Sequence, residues 1–391
     1  MQVEKLKSKI DIKPLKFTLG ETPHATIEPN RTCNLHCRSC YTLNKDYVKS
    51  LNDVKREIDL AAKKRNLETI SLLGGEPTLH PQIMEIIKFI KGKKIKCQLL
   101  TNGNTLLNDG NDRFLDKLIQ ARVDRILLHV DIGQKHTHKD IDEVRNILFS
   151  KLEKKKVHFA LSITIYEENK GEIPESVRQY SKFQFFDGIL AVLARDPLHQ
   201  QVHNTELFDE YISIYHKLIL EPVAYIPSNL DDKHMSWLIY VYFINANTGN
   251  TFSVSHVLDR IIRKLYRSIK GHHLFAIIVN PLVYAALYLL VGLFEIVHSP
   301  KKIPIFFKLL KNSNMMRSVR FHFIVIQTPP EFNQEKNKYQ ICYHCPDATI
   351  RNGMLTPVCI ADKVNPLNDG SQKDEIQKDL YNVVYKHLEE I

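Results

Sequence analysis

The sequence predicts an α/β protein, a partial (β/α)6 barrel of the TIM type with an apolar helical insert and a small cysteine-rich C-terminal region. Three observations carry this. β-Branched runs alternate with Lys-, Glu- and Leu-rich stretches between about residues 22 and 200; an apolar block with basic flanks fills 260–311; and six of the seven cysteines fall in two tight groups.

The expected strands are 24–30, 69–75, 96–102, 125–132, 157–166 and 188–195, and the helices between them are 46–65, 81–93, 112–121, 138–155 and 173–182. Such βα repetition makes the sheet parallel, and six units suit a partial barrel as readily as an open sheet. Either way the chemistry belongs at the carboxyl ends of the strands. Near residue 200 the pattern stops, and WLIYVYFINA (237–246) opens a different composition. Residues 260–270 set basic side chains at a helical period, and 274–297 hold a single charge, Glu295. Asn280 as N-cap and Pro281 as first helical residue start a helix that runs to about 298, roughly 27 Å at 1.5 Å per residue and slightly short of a bilayer core.

Both flanks of that block are basic, and one crossing would put the two cysteine groups on opposite sides of a membrane. An in-plane or re-entrant platform is therefore expected, with Trp237 and nearby tyrosines as interfacial anchors; the alternative is a buried helical lid. The organisation is then an extension (1–21), the barrel (22–200), the apolar insert (201–329), and a cysteine-rich segment with a final helix at 371–390 (330–391).

With 43% apolar and 25% charged residues the chain is too apolar for disorder, and 14 Gly with 17 Pro exclude collagen-like or low-complexity material. The start, MQVEKLKSKI, lacks a secretory pattern, so the cytoplasmic face of a membrane is expected. The net charge of +10 brackets the apolar block, which points to a membrane surface and away from nucleic acid. In a reducing compartment the clustered cysteines suggest metal ligation before disulfides.

Cys33, Cys37 and Cys40 form a C-x3-C-x2-C loop directly after the first strand. Scattered at random, seven cysteines would give such a run roughly 0.002 times. Three thiolates from one loop can hold three corners of a [4Fe-4S] cube and leave one iron open, whereas zinc would need a fourth ligand, His36 or a distant residue. At this loop the sequence resembles the radical S-adenosylmethionine (radical SAM) superfamily, with Ser39 in place of the family's aromatic residue and Tyr41 just after the motif. Gly74, Gly75 and Glu76 resemble the segment that receives the methionine amino group, the glycines admitting backbone carbonyls to the ligand. Asn102 lies in a familiar Thr-Asn-Gly turn. The resemblance places Asp131 near the ribose or substrate, with His129 where relatives often carry Ser, and His136 and His138 following. The end of strand five and Arg195 resemble other cofactor-lining positions.

The resemblance implies a [4Fe-4S] cluster, S-adenosylmethionine, a flavodoxin- or ferredoxin-type reducing partner, and hydrogen abstraction by a 5′-deoxyadenosyl radical. Cys342, Cys345 and Cys359 resemble a SPASM/twitch-like segment, which implies an auxiliary [4Fe-4S] cluster; a zinc knuckle completed by His344 or Asp347 is the alternative. Cys97 reads as a buried thiol. Since the insert looks membrane-directed, the expected substrate is a lipid or isoprenoid. The rivals are a peptide-modifying maturase and a zinc-binding membrane adaptor.

Overall fold

The computed structural model describes residues 12–42, 47–134, 140–194, 207–311 and 318–364. The βα units follow in order: β1 (His24–Asn30), α1 (Leu51–Lys64), β2 (Thr69–Gly74), α2 (Ile83–Gly92), β3 (Lys96–Thr101), α3 (Asn104–Asn108), α4 (Arg113–Gln120), β4 (Arg125–His129), α5 (Ile141–Lys154), β5 (His158–Ile165), α6 (Glu172–Tyr180) and β6 (Phe186–Leu193). Local chemistry sets these boundaries. Ser50 caps α1 by accepting the Asp53 N–H, and Val54, Ile58 and Ala61 turn one helix face inward. β1 is buried along its whole length, as a strand covered on both faces must be. β1 to β6 pair in parallel in sequence order.

The sheet continues beyond β6. After α7 (Leu207–Leu218) come β7 (Ala224–Pro227), β8 (Met235–Asn245) and β9 (Thr251–Ser253), then α8 (His256–Lys270), α9 (Tyr284–His298), α10 (Ile303–Leu310) and β10 (Val319–Gln327). β10 pairs in parallel with β6, and β8 pairs antiparallel with β10, β7 and β9. The stretch expected as a helical insert thus adds strands to the main sheet. Trp237, Tyr240 and Tyr242 are buried in β8 and are not interfacial anchors. A strand buried on both faces lacks polar alternation, which is why this run looked membrane-directed. Hairpins β11 (Glu331–Asn333) with β12 (Lys338–Gln340), and β13 (Ala348–Arg351) with β14 (Met354–Pro357), precede α11 (Ala361–Val364). The helix expected at 371–390 lies outside the described residues.

β8 shows the layering. Leu238, Tyr240, Tyr242 and Ile244 join the main core with Tyr211 and Ile214 of α7. Trp237, Ile239 and Val241 face the other way, into a second core with Tyr288 of α9 and Phe306 of α10. Side chains from β2, β3, β4, β6, β8 and β10 line one interior cavity of about 150 Å³, so the sheet curls around a lumen as a partial barrel does. Residues 274–277, between α8 and α9, enter that lumen: Arg263 donates to the Leu274 carbonyl at 2.6 Å, and Arg125 donates to the Ile277 carbonyl.

Candidate functional site

The loop leaving β1 and the carboxyl ends of β2 to β5 surround a second cavity, lined by Cys33, Cys37 and Cys40. Among the described residues no three ligand-type side chains converge as they would around an ion; the loop thiols share one cavity. The loop is fastened without them. The Arg38 N–H donates to the Gly133 carbonyl at 2.8 Å, Cys37 forms a backbone bridge with Gln134, and the Asn102 amide donates to Asn34 Oδ1 at 2.8 Å. That same amide lies 3.9 Å from Cys33 Sγ. Burial pushes the Cys37 thiol up to about 12, so taking a metal must release its proton.

Gly75 is required by the loop itself, since a Cβ there would lie 2.2 Å from the Arg31 carbonyl oxygen and 2.3 Å from that of Thr32. The glycines after β2 therefore seat the β1 loop against β2, where the sequence suggested approach to a ligand. Glu76 is buried and largely committed: Oε1 accepts from the Thr78 N–H (3.0 Å), Thr78 Oγ1 (2.6 Å) and Thr101 Oγ1 (2.7 Å). Oε2 accepts only the Asn102 N–H at 2.8 Å and keeps an acceptor position beside the cavity. Burial raises the Glu76 pKa against these donors. Glu76 is thus first a strut joining the ends of β2 and β3.

Asp131 is buried and is not among the residues that line the cavity, although it holds two that are. It accepts from His129 Nε2 (2.8 Å) and from the Gly133 (2.8 Å) and Thr164 (2.7 Å) N–H groups, while His129 and Thr164 line the cavity. Burial alone would raise the Asp131 pKa, but His129 and these donors bring it from 3.8 to about 2. Burial likewise opposes the His129 charge, and Asp131 overcomes it, raising that pKa above 6.5. The carboxylate contribution is present above pH 3.8 and lost as pH falls through about 2; the imidazolium contribution is present below 6.5 and lost as pH rises through its raised value. Both describe one pair, worth about 2 kcal/mol. The stability advantage over Asp131→Asn, followed by urea unfolding, should peak between about pH 4 and 6.5. An advantage that stays flat from acid to alkali rules the pair out.

Arg195, His136 and His138 lie outside the described residues. Tyr41, Gln134 and Tyr166 also line the cavity, and of these only the end of β5 was foreseen. Gly133 was an available signal for Tyr166: a Cβ there would lie 2.2 Å from the Tyr166 hydroxyl. Beneath the loop, Arg31 forks onto Asp362 of α11 at 2.6 and 2.8 Å.

The lumen is mostly apolar, walled by Leu127, Leu190, Ile239 and Phe275 among others, and it shares Leu73 and Leu100 with the cysteine cavity. The second cysteine group stands at its rim. Trp237 lines the lumen and donates its indole N–H to Cys342 Sγ at 3.0 Å, and Cys345 lies beside Cys342. In the hairpin that follows, Ala348 lies opposite Pro357 and the Val358 N–H donates to the Asp347 carbonyl at 2.9 Å, but Cys342, Cys345 and Cys359 do not converge as they would around an ion. Asp347, one of the two fourth ligands offered by the zinc alternative, faces His24 at 3.5 Å and Gln327 at 3.2 Å. Cys97 is a buried thiol, as expected.

A curled parallel sheet with three thiols on one loop and a carboxylate and an amide beside them suits a class of domain that holds an open-cornered iron-sulfur cube next to a small charged cofactor. Residues 27–179, about two fifths of the chain, match the Radical SAM superfamily model, a superfamily whose members use a [4Fe-4S] cluster and S-adenosylmethionine. That match favours an enzyme over the adaptor alternative. A probable GTP 3′,8-cyclase of Pyrococcus abyssi is 28% identical over 118 residues, which cover 29% of this chain and 37% of the relative. An S-adenosylmethionine-dependent nucleotide dehydratase of a Thermoplasmatales archaeon is 32% identical over 101 residues, 25% of this chain and 34% of the relative. Streptococcus suis SuiB bound to S-adenosylmethionine superposes at a TM-score of 0.41 and 17% identity, covering 54% of this chain and 49% of SuiB. The matched stretch thus spans little more than a third of these sequence relatives.

Proposed function

We propose that the protein is a radical SAM enzyme acting on a long apolar chain, a lipid or isoprenoid, at the cytoplasmic face of a membrane. The observation that carries this is the shared wall at Leu73 and Leu100: a chain lying in the lumen would end beside the cysteine loop. Cys33, Cys37 and Cys40 would hold the cluster, with Glu76 Oε2 available to the methionine ammonium and Asn102 beside Cys33. When bound and reduced by a flavodoxin- or ferredoxin-type partner, this pair supplies a 5′-deoxyadenosyl radical for abstracting hydrogen from the chain or adding to it. The leucine walls keep water away from the reacting carbon. An auxiliary cluster on the second cysteine group would stand at the lumen rim, behind Trp237. The test is 5′-deoxyadenosine formation by anaerobic, reduced protein: membrane lipid extract should stimulate it at least tenfold, and stimulation by peptides alone would move the substrate to the maturase class.

Membrane association has its own support. Pro281–His298 has the length and hydropathy of a membrane span, 18 residues at mean hydropathy 1.7. One face of α9 is seated on the protein: Tyr288 donates to the Phe306 carbonyl at 2.8 Å, and Glu295 accepts from Ser255 Oγ and Lys302, both at 2.7 Å. The other face leaves Leu290 71% and Val297 77% exposed, and α8 adds Ile269 at 78%. A helix with one face on its own protein and one apolar face outward suits the membrane plane. Leu290→Glu with Val297→Glu should abolish flotation with anionic liposomes, since each leucine-sized insertion is worth about 1.5–3 kcal/mol, and should leave folding stability unchanged. Undiminished flotation of the double variant would refute the platform.

A further inference from the structure

We infer that the substrate is an anionic amphiphile whose phosphate-type head sits in a basic pocket under α8 while its chain runs into the lumen. This rests on the apolar-chain reading above and specifies the head that goes with it.

A cavity of about 200 Å³ lies between α8, the segment at 13–15 and the start of β7. It is lined by Lys13, Arg260, Arg263, Lys264 and Arg267 against one acid, Asp259. Two of these cations are committed, Arg263 to Asp259 at 2.7 Å and Arg267 to Glu21 at 2.6 Å. Among the described residues the Arg260 and Lys264 side chains have no partner. His273 supplies the second, independent observation. It is 7% exposed and lines the same pocket, and its Nε2 makes no hydrogen bond, with Glu21 3.9 Å away. A buried polar atom without a partner is costly, and an anionic oxygen would satisfy it as an N–H donor. Two uncommitted cations and one donor match a phosphate monoester, with up to two charges and three strong acceptor oxygens, better than a zwitterionic head.

Placement completes the case. Leu15 and Arg263 line both this pocket and the lumen, and Leu73 and Leu100 line both the lumen and the cysteine cavity. Basic, apolar and cysteine-lined spaces therefore adjoin in that order, the order of head, chain and reacting carbon. Ile261, Leu265 and Ile269 form an exposed i, i+4 stripe on α8, which sets the basic pocket at the edge of the apolar platform.

Trp237, the sole tryptophan of the chain, lines the lumen and reports on its occupant. The probe is dodecyl phosphate brominated along its chain, added below its micellar concentration to the full-length protein. Saturable quenching of Trp237 is expected, with affinity about tenfold weaker for each of Arg260→Gln and Lys264→Gln, both exposed on α8 and remote from the core. Val325→Phe, which fills the lumen without touching the basic pocket, should remove the quenching. Displacement by farnesyl phosphate at lower concentration than by unbrominated dodecyl phosphate would assign an isoprenoid source, and the reverse an acyl lipid. Equal quenching by the brominated choline ester, insensitivity to both charge variants, or calorimetric binding of inorganic phosphate without quenching by the probe would each overturn the proposal. No cluster is needed for this measurement, so its failure leaves 5′-deoxyadenosine formation untouched, and loss of that activity leaves the quenching intact.

Discussion

Protein purified without oxygen should be brown and contain about four to eight iron atoms per chain, and changing Cys33, Cys37 and Cys40 together to Ala should remove about four of them and all 5′-deoxyadenosine formation. The fold should survive, because the loop is held by contacts that use no sulfur. The Arg31 N–H donates to the Tyr47 carbonyl at 2.6 Å, the Arg38 N–H to the Gly133 carbonyl, and Asn34 receives the Asn102 amide. All three cysteines are partly exposed, so their truncation should cost no more than about 1 kcal/mol in urea unfolding of the metal-free chain. Cleavage of S-adenosylmethionine by the triple variant would end the radical assignment. The iron left behind reports on Cys342, Cys345 and Cys359: a residual cluster makes the second group auxiliary, and zinc in its place makes it a knuckle.

What could be read from the sequence divides along a physical line. The six βα units were legible because each carries its own period: alternation or full burial in the strand, one apolar face in the helix, and a cap such as Ser50 between them. The cysteine loop was legible because its ligand spacing is local, and parallel strands bring their carboxyl ends to one place. Side-chain direction was not. Asp131 and His129 sit two residues apart at the end of one strand, and nothing in their order says that the histidine lines the cavity while the carboxylate is bonded behind it. Glu76 was read as a partner of the methionine ammonium, yet three of its four donors come from Thr78 and Thr101, which marks it as a strut first. β8 was misjudged for a similar reason. Burial on both faces erases the pattern that separates a central strand from a membrane-seeking run, and only its pairing with β10 and β7 tells them apart.

Contacts over long sequence distance leave no local trace, and the buried charges under the cysteine loop are the case with the largest consequence for stability. Arg31 forks onto Asp362 and also meets Glu28 at 2.8 Å, while Arg351 contacts Glu28 and Asp362. Two guanidiniums face two carboxylates, all buried, so the set is balanced only when complete. Asp362→Ala would leave one positive charge uncompensated beneath the loop, which should cost about 3–5 kcal/mol in urea unfolding. Removing the partner as well, in Arg31→Leu with Asp362→Leu, leaves Glu28 and Arg351 paired and should recover most of that loss, because two apolar side chains can replace a buried ion pair at little net cost. Arg31 lies two residues before Cys33 and lines the cysteine cavity, so the single variant should also lose iron faster to a chelator than wild type. An Asp362→Ala protein within about 1 kcal/mol of wild type, with no gain from the second change, would mean that the C-terminal segment does not anchor the loop.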